Sequence, residues 1–209
     1  MPILKSTFFV LFFTCFLGWS QQPLSKKEEL DFLKQVKETS QHTETLKGKF
    51  LQTKQLSFLE KSIQSNGNFY YQTPNLVKWE YKEPYLYGVI FKNGSLLIND
   101  NGKKQNVDLA SNKLFEKLSD LIANSMNGKM LTDTDFSTSF FKENGEVMAR
   151  LIPEQKQLAE FFKAIELHFN STNFLVEQVK LIEKSGDFTL IELKNLQQNP
   201  SLDASVFTH

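Results

Sequence analysis

Apolar and polar positions along this chain repeat at two different periods, and the changes between them mark its elements. Between Ser25 and about Gln41 the period is helical. Leu30, Leu33 and Val36 form one apolar stripe with Phe32 at its edge. Ser25 followed by Glu28 is a capping box that starts this helix. From Leu46 the period falls to two. Leu46, Gly48 and Phe50 alternate with Lys47 and Lys49. Ile63, Ser65, Gly67, Phe69 and Tyr71 make a second run, and Val77, Trp79 and Tyr81 a third. The turn Thr73-Pro74-Asn75 separates the last two, and Pro84 ends the third. Asn93-Gly94 joins residues 87–92 to 95–99 as a hairpin. A turn over 99–102 leads to a strand ending near Asp108.

The helical period returns over residues 111–127, where Leu114, Phe115, Leu118, Leu121, Ile122 and Met126 form a broad stripe and Gly128 supplies the stop. Strands over 136–143 and 146–152 flank Asn144-Gly145. A short helix is predicted over 153–162, with Pro153 at its start and Leu158, Phe161 and Phe162 on one side. Three strands follow at 164–170, 174–183 and 188–196, separated by turns at 171–173 and 185–187. Residues 21–24 read as a linker. The sum is about eleven strands and about three helices, with no internal repeat. Short consecutive strands joined by tight turns predict an antiparallel meander, and a sheet of that size curls or closes. The fold expected is mainly β with α, the helices covering the concave side or the open mouth. If the faces carrying Phe50, then Phe69 and Tyr71, then Val77, Trp79 and Tyr81 look inward, they line the interior.

The first twenty residues change where this domain is expected to work. Lys5 precedes an apolar run (Phe8, Phe9, Val10, Leu11, Phe12, Phe13, Phe16), and Gly18 and Ser20 are small. This reads as a secretory signal peptide cleaved after Ser20, leaving Gln21–His209 as one domain. The run is too short to anchor across ~30 Å of hydrocarbon. The single cysteine, Cys15, lies in the leader and follows Phe12, Phe13 and Thr14 rather than small residues, so a soluble, disulfide-free exported protein is expected. The chain has 24 basic and 24 acidic residues; losing Lys5 leaves 23 against 24, a net charge of −1, with no basic stripe for nucleic acid. Phenylalanine is abundant, with 20 in all. Rings in that number fill a core or line an apolar cavity.

Catalytic chemistry finds no foothold. His42, His168 and His209 lack metal-ligand spacing. There is no glycine-rich phosphate loop and no Gly-x-Ser-x-Gly elbow. Asp133 and Asp135 read as solvated loop carboxylates. Asn93-Gly94-Ser95 and Asn170-Ser171-Thr172 fit a glycosylation pattern, but turn chemistry accounts for both. No catalytic residue, cofactor or metal is expected, and the chain reads as a non-enzyme.

Three segments between Gly48 and Tyr81 resemble the LolA family of periplasmic outer-membrane lipoprotein carriers. Lys49-Phe50-Leu51-Gln52-Thr53-Lys54 is similar to the family's Ser-Phe-x-Gln segment, and Ser65-Asn66-Gly67-Asn68-Phe69 to its Gly-x-Leu strand. The most specific is Thr73-Pro74-Asn75-Leu76-Val77-Lys78-Trp79, which resembles Arg-Pro-Asn-x-x-x-Trp. Near the end, Asp203-Ala204-Ser205-Val206-Phe207 is similar to Asp-Ala-x-x-Phe. Together these anchors bracket most of the chain.

The resemblance implies an incomplete, unclosed antiparallel barrel under a helical lid, its cavity holding the acyl chains of a lipoprotein. Phe50, Phe69, Tyr71, Val77, Trp79 and Tyr81 are then the cavity candidates. Leu30 and Leu33, with Leu114, Phe115, Leu118, Leu121, Ile122 and Met126, are the lid candidates. The partners implied are lipoprotein or lipid cargo, an inner-membrane exporter and an outer-membrane acceptor, the carrier itself being a periplasmic monomer. Thr73 stands where the family has the arginine that holds the lid shut, and a hydroxyl cannot reproduce a guanidinium fork. Thr73 is therefore the lid-latch candidate. The chain also ends at His209, without the C-terminal extension of some members. Both departures keep two alternatives open: a LolA-like carrier of a non-protein lipid, such as a glycolipid or a polyene pigment lipid, and a periplasmic lipoprotein-sensing module. Sensors of that kind usually carry a second domain, for which this chain has no room.

Overall fold

The alternation seen in the sequence becomes one large sheet. The computed structural model describes residues 21–92, 94–108 and 128–208. The predicted leader, the predicted helix over 111–127 with its six lid candidates, Asn93 and His209 lie outside the described residues. In chain order the elements are β1 (Gln22–Pro23), α1 (Lys26–Gln41), β2 (Thr45–Gln55), β3 (Ile63–Gln72), β4 (Leu76–Glu83), β5 (Tyr87–Lys92), β6 (Ser95–Asp100), β7 (Lys103–Asp108), a 3-10 turn (Lys129–Thr132), β8 (Phe136–Glu143), β9 (Glu146–Pro153), α2 (Lys156–Phe161), β10 (Phe162–Phe169), β11 (Val176–Glu183), β12 (Phe188–Gln198) and a 3-10 turn (Ala204–Phe207).

All twelve strands pair antiparallel in the order β1-β8-β9-β10-β11-β12-β2-β3-β4-β5-β6-β7. Each half is a meander, and β12 returns to β2, running from Phe188 opposite Gln55 to Gln198 opposite Leu46. β1 and β7 do not meet, so this is the unclosed antiparallel barrel that the family resemblance implies. The β7 edge is guarded by exposed Lys103, Lys104, Gln105 and Asn106, side chains that discourage pairing with another chain. Among the described residues the strand count is twelve rather than about eleven, because residues 21–24 are not a linker. Gln22 pairs with Lys142 and Pro23 with Phe141. Two residues show no alternation, and a proline is tolerated only on such an edge.

Side chains of one parity point inward. Leu46 and Phe50 of β2, Phe69 and Tyr71 of β3, and Val77 and Trp79 of β4 are buried. So are Ala149 and Leu151 of β9, Ile165, Leu167 and Phe169 of β10, and Val179 of β11. Gly67 pairs with Phe50 on one side and Tyr81 on the other. A Cβ there would overlap the Glu80 carbonyl and the Phe50 ring, so glycine is what lets these strands approach under the aromatic rings. The Asn144-Gly145 hairpin has φ of +53° and +87°, the left-handed pair a two-residue turn requires.

The capping box of α1 forms as predicted: Glu28 N–H donates to Ser25 Oγ at 3.4 Å, and Ser25 N–H to Glu28 Oε2 at 2.8 Å. The Ser25 bonds hold the Glu28 carboxyl below its usual range. The buried stripe of α1 is nevertheless not the one expected. It is centred on Phe32 and Val36, while Leu30 is 57% exposed and Leu33 half-buried. Phe32 wins the central place because its ring meets Phe169 and Phe140 edge-on, at centroid distances of 5.0 and 5.7 Å.

Two boundaries also move. Pro153 ends β9 instead of opening α2, whose N-cap is Gln155. Of that helix's predicted face, Leu158 is buried, Phe161 is 49% exposed and Phe162 already belongs to β10. Phe174 precedes β11 rather than starting it, with φ at +56°. The Phe174 ring lies 6.3 Å from Phe32.

Candidate functional site

The six cavity candidates come together on the inner face of β2–β4, because strict alternation on three neighbouring strands puts them on one side. Phe50 meets Trp79 at 5.0 Å and Tyr81 at 4.9 Å, both edge-on. Phe69 meets Trp79 at 4.8 Å, and Val77 lies opposite Tyr71. Tyr81 is only half-buried. Its hydroxyl donates to Gln52 Oε1 at 3.1 Å, and burial, with Tyr85 and Tyr87 nearby, pushes its pKa up to about 12. Burial also raises the Tyr71 hydroxyl, with the Thr73 side chain beside it acting the other way. Trp79 Nε1 is buried and has no hydrogen-bond partner among the described residues. An orphan donor in an apolar surface is uncommon and destabilising for the protein that carries it.

At the end of the sheet carrying the β3–β4 turn, a cavity of about 690 Å³ opens between that turn, the second half of α1 and the 3-10 turn at Lys129. Its walls include Leu33, Val36, Tyr71, Thr73, Pro74 and Thr132. Three sequence candidates from separate elements, Leu33, Tyr71 and Thr73, thus line one space. Thr73 sits at its lip, its N–H donating to Glu44 C=O at 2.8 Å. Leu30 is not among the lining residues. The volume lies in the usual range of ligand sites.

The other half of the interior is not among the sequence candidates. Phe140, Leu151, Ile165, Leu167 and Phe169 face the same interior and belong to the same core cluster. Their alternation was visible, but no family motif drew attention to it. On the outer face, Arg150 donates from Nε to Glu166 Oε1 at 2.9 Å and from a terminal nitrogen to Gln21 Oε1 at 3.1 Å. These are structural pairings. Among the described residues no group of three His, Cys, Asp or Glu side chains is placed to hold a metal. No described helix is long and apolar enough to cross a membrane.

Over residues 41–209 the sequence matches the family described as "Outer membrane lipoprotein carrier protein LolA". The chain belongs to the LolA family. It is 23% identical over 145 residues to the outer-membrane lipoprotein carrier protein of Methylococcus capsulatus, covering 69% of this chain and 66% of that protein. Among solved structures, the fold resembles an uncharacterized conserved protein from Thermus thermophilus, with a TM-score of 0.53 at 8% identity, covering 87% of this chain and 93% of the other. It also resembles a chain of the Pseudomonas aeruginosa MucA/MucB complex, with a TM-score of 0.50 at 12% identity and coverages of 87% and 61%. For the LolA-family chain described here, these two likenesses speak to the fold alone. The match thus spans just under two thirds of the carrier from Methylococcus and of the MucA/MucB chain.

Proposed function

We propose that this LolA-family protein is a periplasmic carrier. It shields the acyl chains of an outer-membrane lipoprotein in the interior of the open barrel and transfers the lipoprotein from the inner to the outer membrane. One observation carries the reading: an aromatic inner surface containing Phe50, Phe69, Tyr71, Val77, Trp79 and Tyr81 is continuous with a cavity that opens beside α1. Each CH₂ withdrawn from water is worth ~0.8 kcal/mol, so acyl chains cross an aqueous compartment only inside such a surface. In this reading residues 1–20 are a cleaved leader and 21–209 one carrier domain. Leu33, on the cavity wall, belongs to the lid in this reading; the other lid candidates, over 111–127, lie outside the described residues. Leu30, facing solvent, has no place in that lid. An inner-membrane exporter and an outer-membrane acceptor are the partners, and no reaction is catalysed.

Thr73 at the cavity lip favours a second reading, a carrier of a non-protein lipid. Threonine offers one short hydroxyl where the lipoprotein carriers have an arginine, so closure over cargo follows a different rule. The deciding experiment is mass spectrometry of what co-purifies with the protein from its native envelope. A triacylated lipoprotein supports the first reading. A free glycolipid or pigment ester supports the second. An empty protein that also fails to take up fluorescent fatty acids overturns both.

A further inference from the structure

Of the eight large apolar side chains left exposed among the described residues, seven lie at one end of the sheet, opposite the cavity lip at Thr73. The exception is Leu30. Five of the seven cluster on two neighbouring connections: Phe58 (77% exposed), Leu59 (37%) and Ile63 (45%) at β2–β3, and Tyr85 (62%) and Leu86 (59%) at β4–β5. The pairing of β3 with β4 holds the connections side by side, with Asn66 opposite Glu83. Their shapes are built. Ser57 N–H donates to Asp187 Oδ1 at 2.7 Å, Leu59 N–H to Leu56 C=O at 3.0 Å, and Asn66 Nδ2 to Glu83 Oε2 at 2.7 Å.

We propose that this end docks on the surface of a phospholipid bilayer, with Phe58, Tyr85 and Leu86 entering the headgroup boundary. Three features select a bilayer over another protein. The apolar groups stand on protruding loop tips, where they enter a soft medium without needing a matching surface. Their exposed area is roughly 550 Å², taking ~200 Å² for each large side chain. That is near the upper end of the patches monomers expose, and below the ~800 Å² a partner contributes to a stable protein interface. The chemistry is also interfacial: Tyr85 joins an apolar ring to a hydroxyl, and Lys54 and Lys61 stand beside the tips with long apolar stems and cationic ends suited to lipid phosphates, while Lys82 pairs with Glu80 at 3.4 Å and the acids beside the tips are Glu60 and Glu83. This docking requires no cargo in the interior, and it leaves the lip at Thr73 facing away from the membrane.

The test is flotation of residues 21–209, the chain without its proposed leader, with vesicles of phosphatidylglycerol and phosphatidylethanolamine in equal parts. It is compared with the variant Phe58→Ser/Tyr85→Ser/Leu86→Ser. The three side chains are exposed, so the variant is expected to fold normally, with an unchanged circular dichroism spectrum and undiminished uptake of a fluorescent fatty acid. Vesicle binding weakened about tenfold or more in the variant supports docking through these tips. Equal binding by both proteins overturns it, as does no binding by either. A dimer in sedimentation that the same substitutions dissociate would assign the patch to a second copy of the chain and also overturn it. Uptake of the fatty acid by both proteins separates a failure of docking from a failure of the carrier reading.

Discussion

The two halves of the interior are made of different side chains. Across β2–β5 the inner surface is largely aromatic, with Phe50, Phe69, Tyr71, Trp79 and Phe91 buried and Tyr81 half-buried. Across β9–β12 it is largely aliphatic, with Leu151, Ile165, Leu167, Val179 and Leu193. The aliphatic half is closed over by α1, where Phe32 inserts against Phe140 and Phe169. The aromatic half holds the unpartnered Trp79 Nε1, and through Tyr71 it reaches the open cavity. One half is finished as a protein core. The other keeps features that a core normally eliminates, as a surface reserved for a ligand would.

The comparison breaks first at Leu167, fully buried in the aliphatic half. Leu167→Ala is expected to destabilise the fold by about 3 kcal/mol. Chemical denaturation measures this, and uptake of a fluorescent fatty acid per folded molecule should stay unchanged. If uptake falls in parallel, the two halves are not functionally distinct. The phenol of Tyr81 comes next. Its folded pKa, raised to about 12 by burial, lies above the unfolded value of 10.0, so its contribution to stability is fully present below pH 10. That contribution is lost as pH rises from 10 toward 12. Tyr81→Phe should remove this alkaline decline in stability and abolish the last phenolate transition seen by ultraviolet absorbance. A decline of the same size in the variant would mean that another group is responsible.

How much of this was legible varied with the kind of signal. The period-two runs placed the inner face of β2–β4 correctly, because a register with one buried face leaves a regular imprint. The capping box located α1 at its first residue. Its stripe was misplaced, because Leu30 and Phe32 are both apolar and periodicity cannot say which one finds partners; Phe140 and Phe169 decide that from more than a hundred positions away. The two-residue β1 left no pattern at all. Thr73 was singled out by a family motif, and the structure puts it on the rim of a cavity that its own neighbours in sequence do not predict. The exposed cluster at Phe58, Tyr85 and Leu86 could not be read either, since an apolar residue in a turn looks the same in sequence whether it folds inward or stands out.

Two smaller effects sharpen the contrast. Ser25→Ala removes the capping box and should cost about 1 kcal/mol, measured by thermal unfolding, because α1 is anchored mainly by Phe32 and Val36. A loss several times larger would place the helix start, rather than the aromatic anchor, in control of how α1 is held. Trp79→Phe removes the orphan donor along with part of the ring. The relief of the unsatisfied N–H offsets the lost packing, so stability should change by less than about 1 kcal/mol while fatty-acid affinity falls. A large loss of stability with unchanged affinity would make Trp79 an ordinary core residue.

The central claim is that acyl chains bind against the aromatic half of the interior. The chain has 2 tryptophans, Trp19 and Trp79. Trp19 falls in the proposed leader, so the chain from Gln21 onward carries Trp79 as its sole indole fluorophore, placed among Phe50 and Phe69. Titrating that chain with a brominated fatty acid brings a heavy-atom quencher to the proposed site. The expected result is saturable quenching that an unbrominated fatty acid reverses by competition. Fatty-acid binding that leaves Trp79 emission untouched would place the ligand elsewhere and contradict the account.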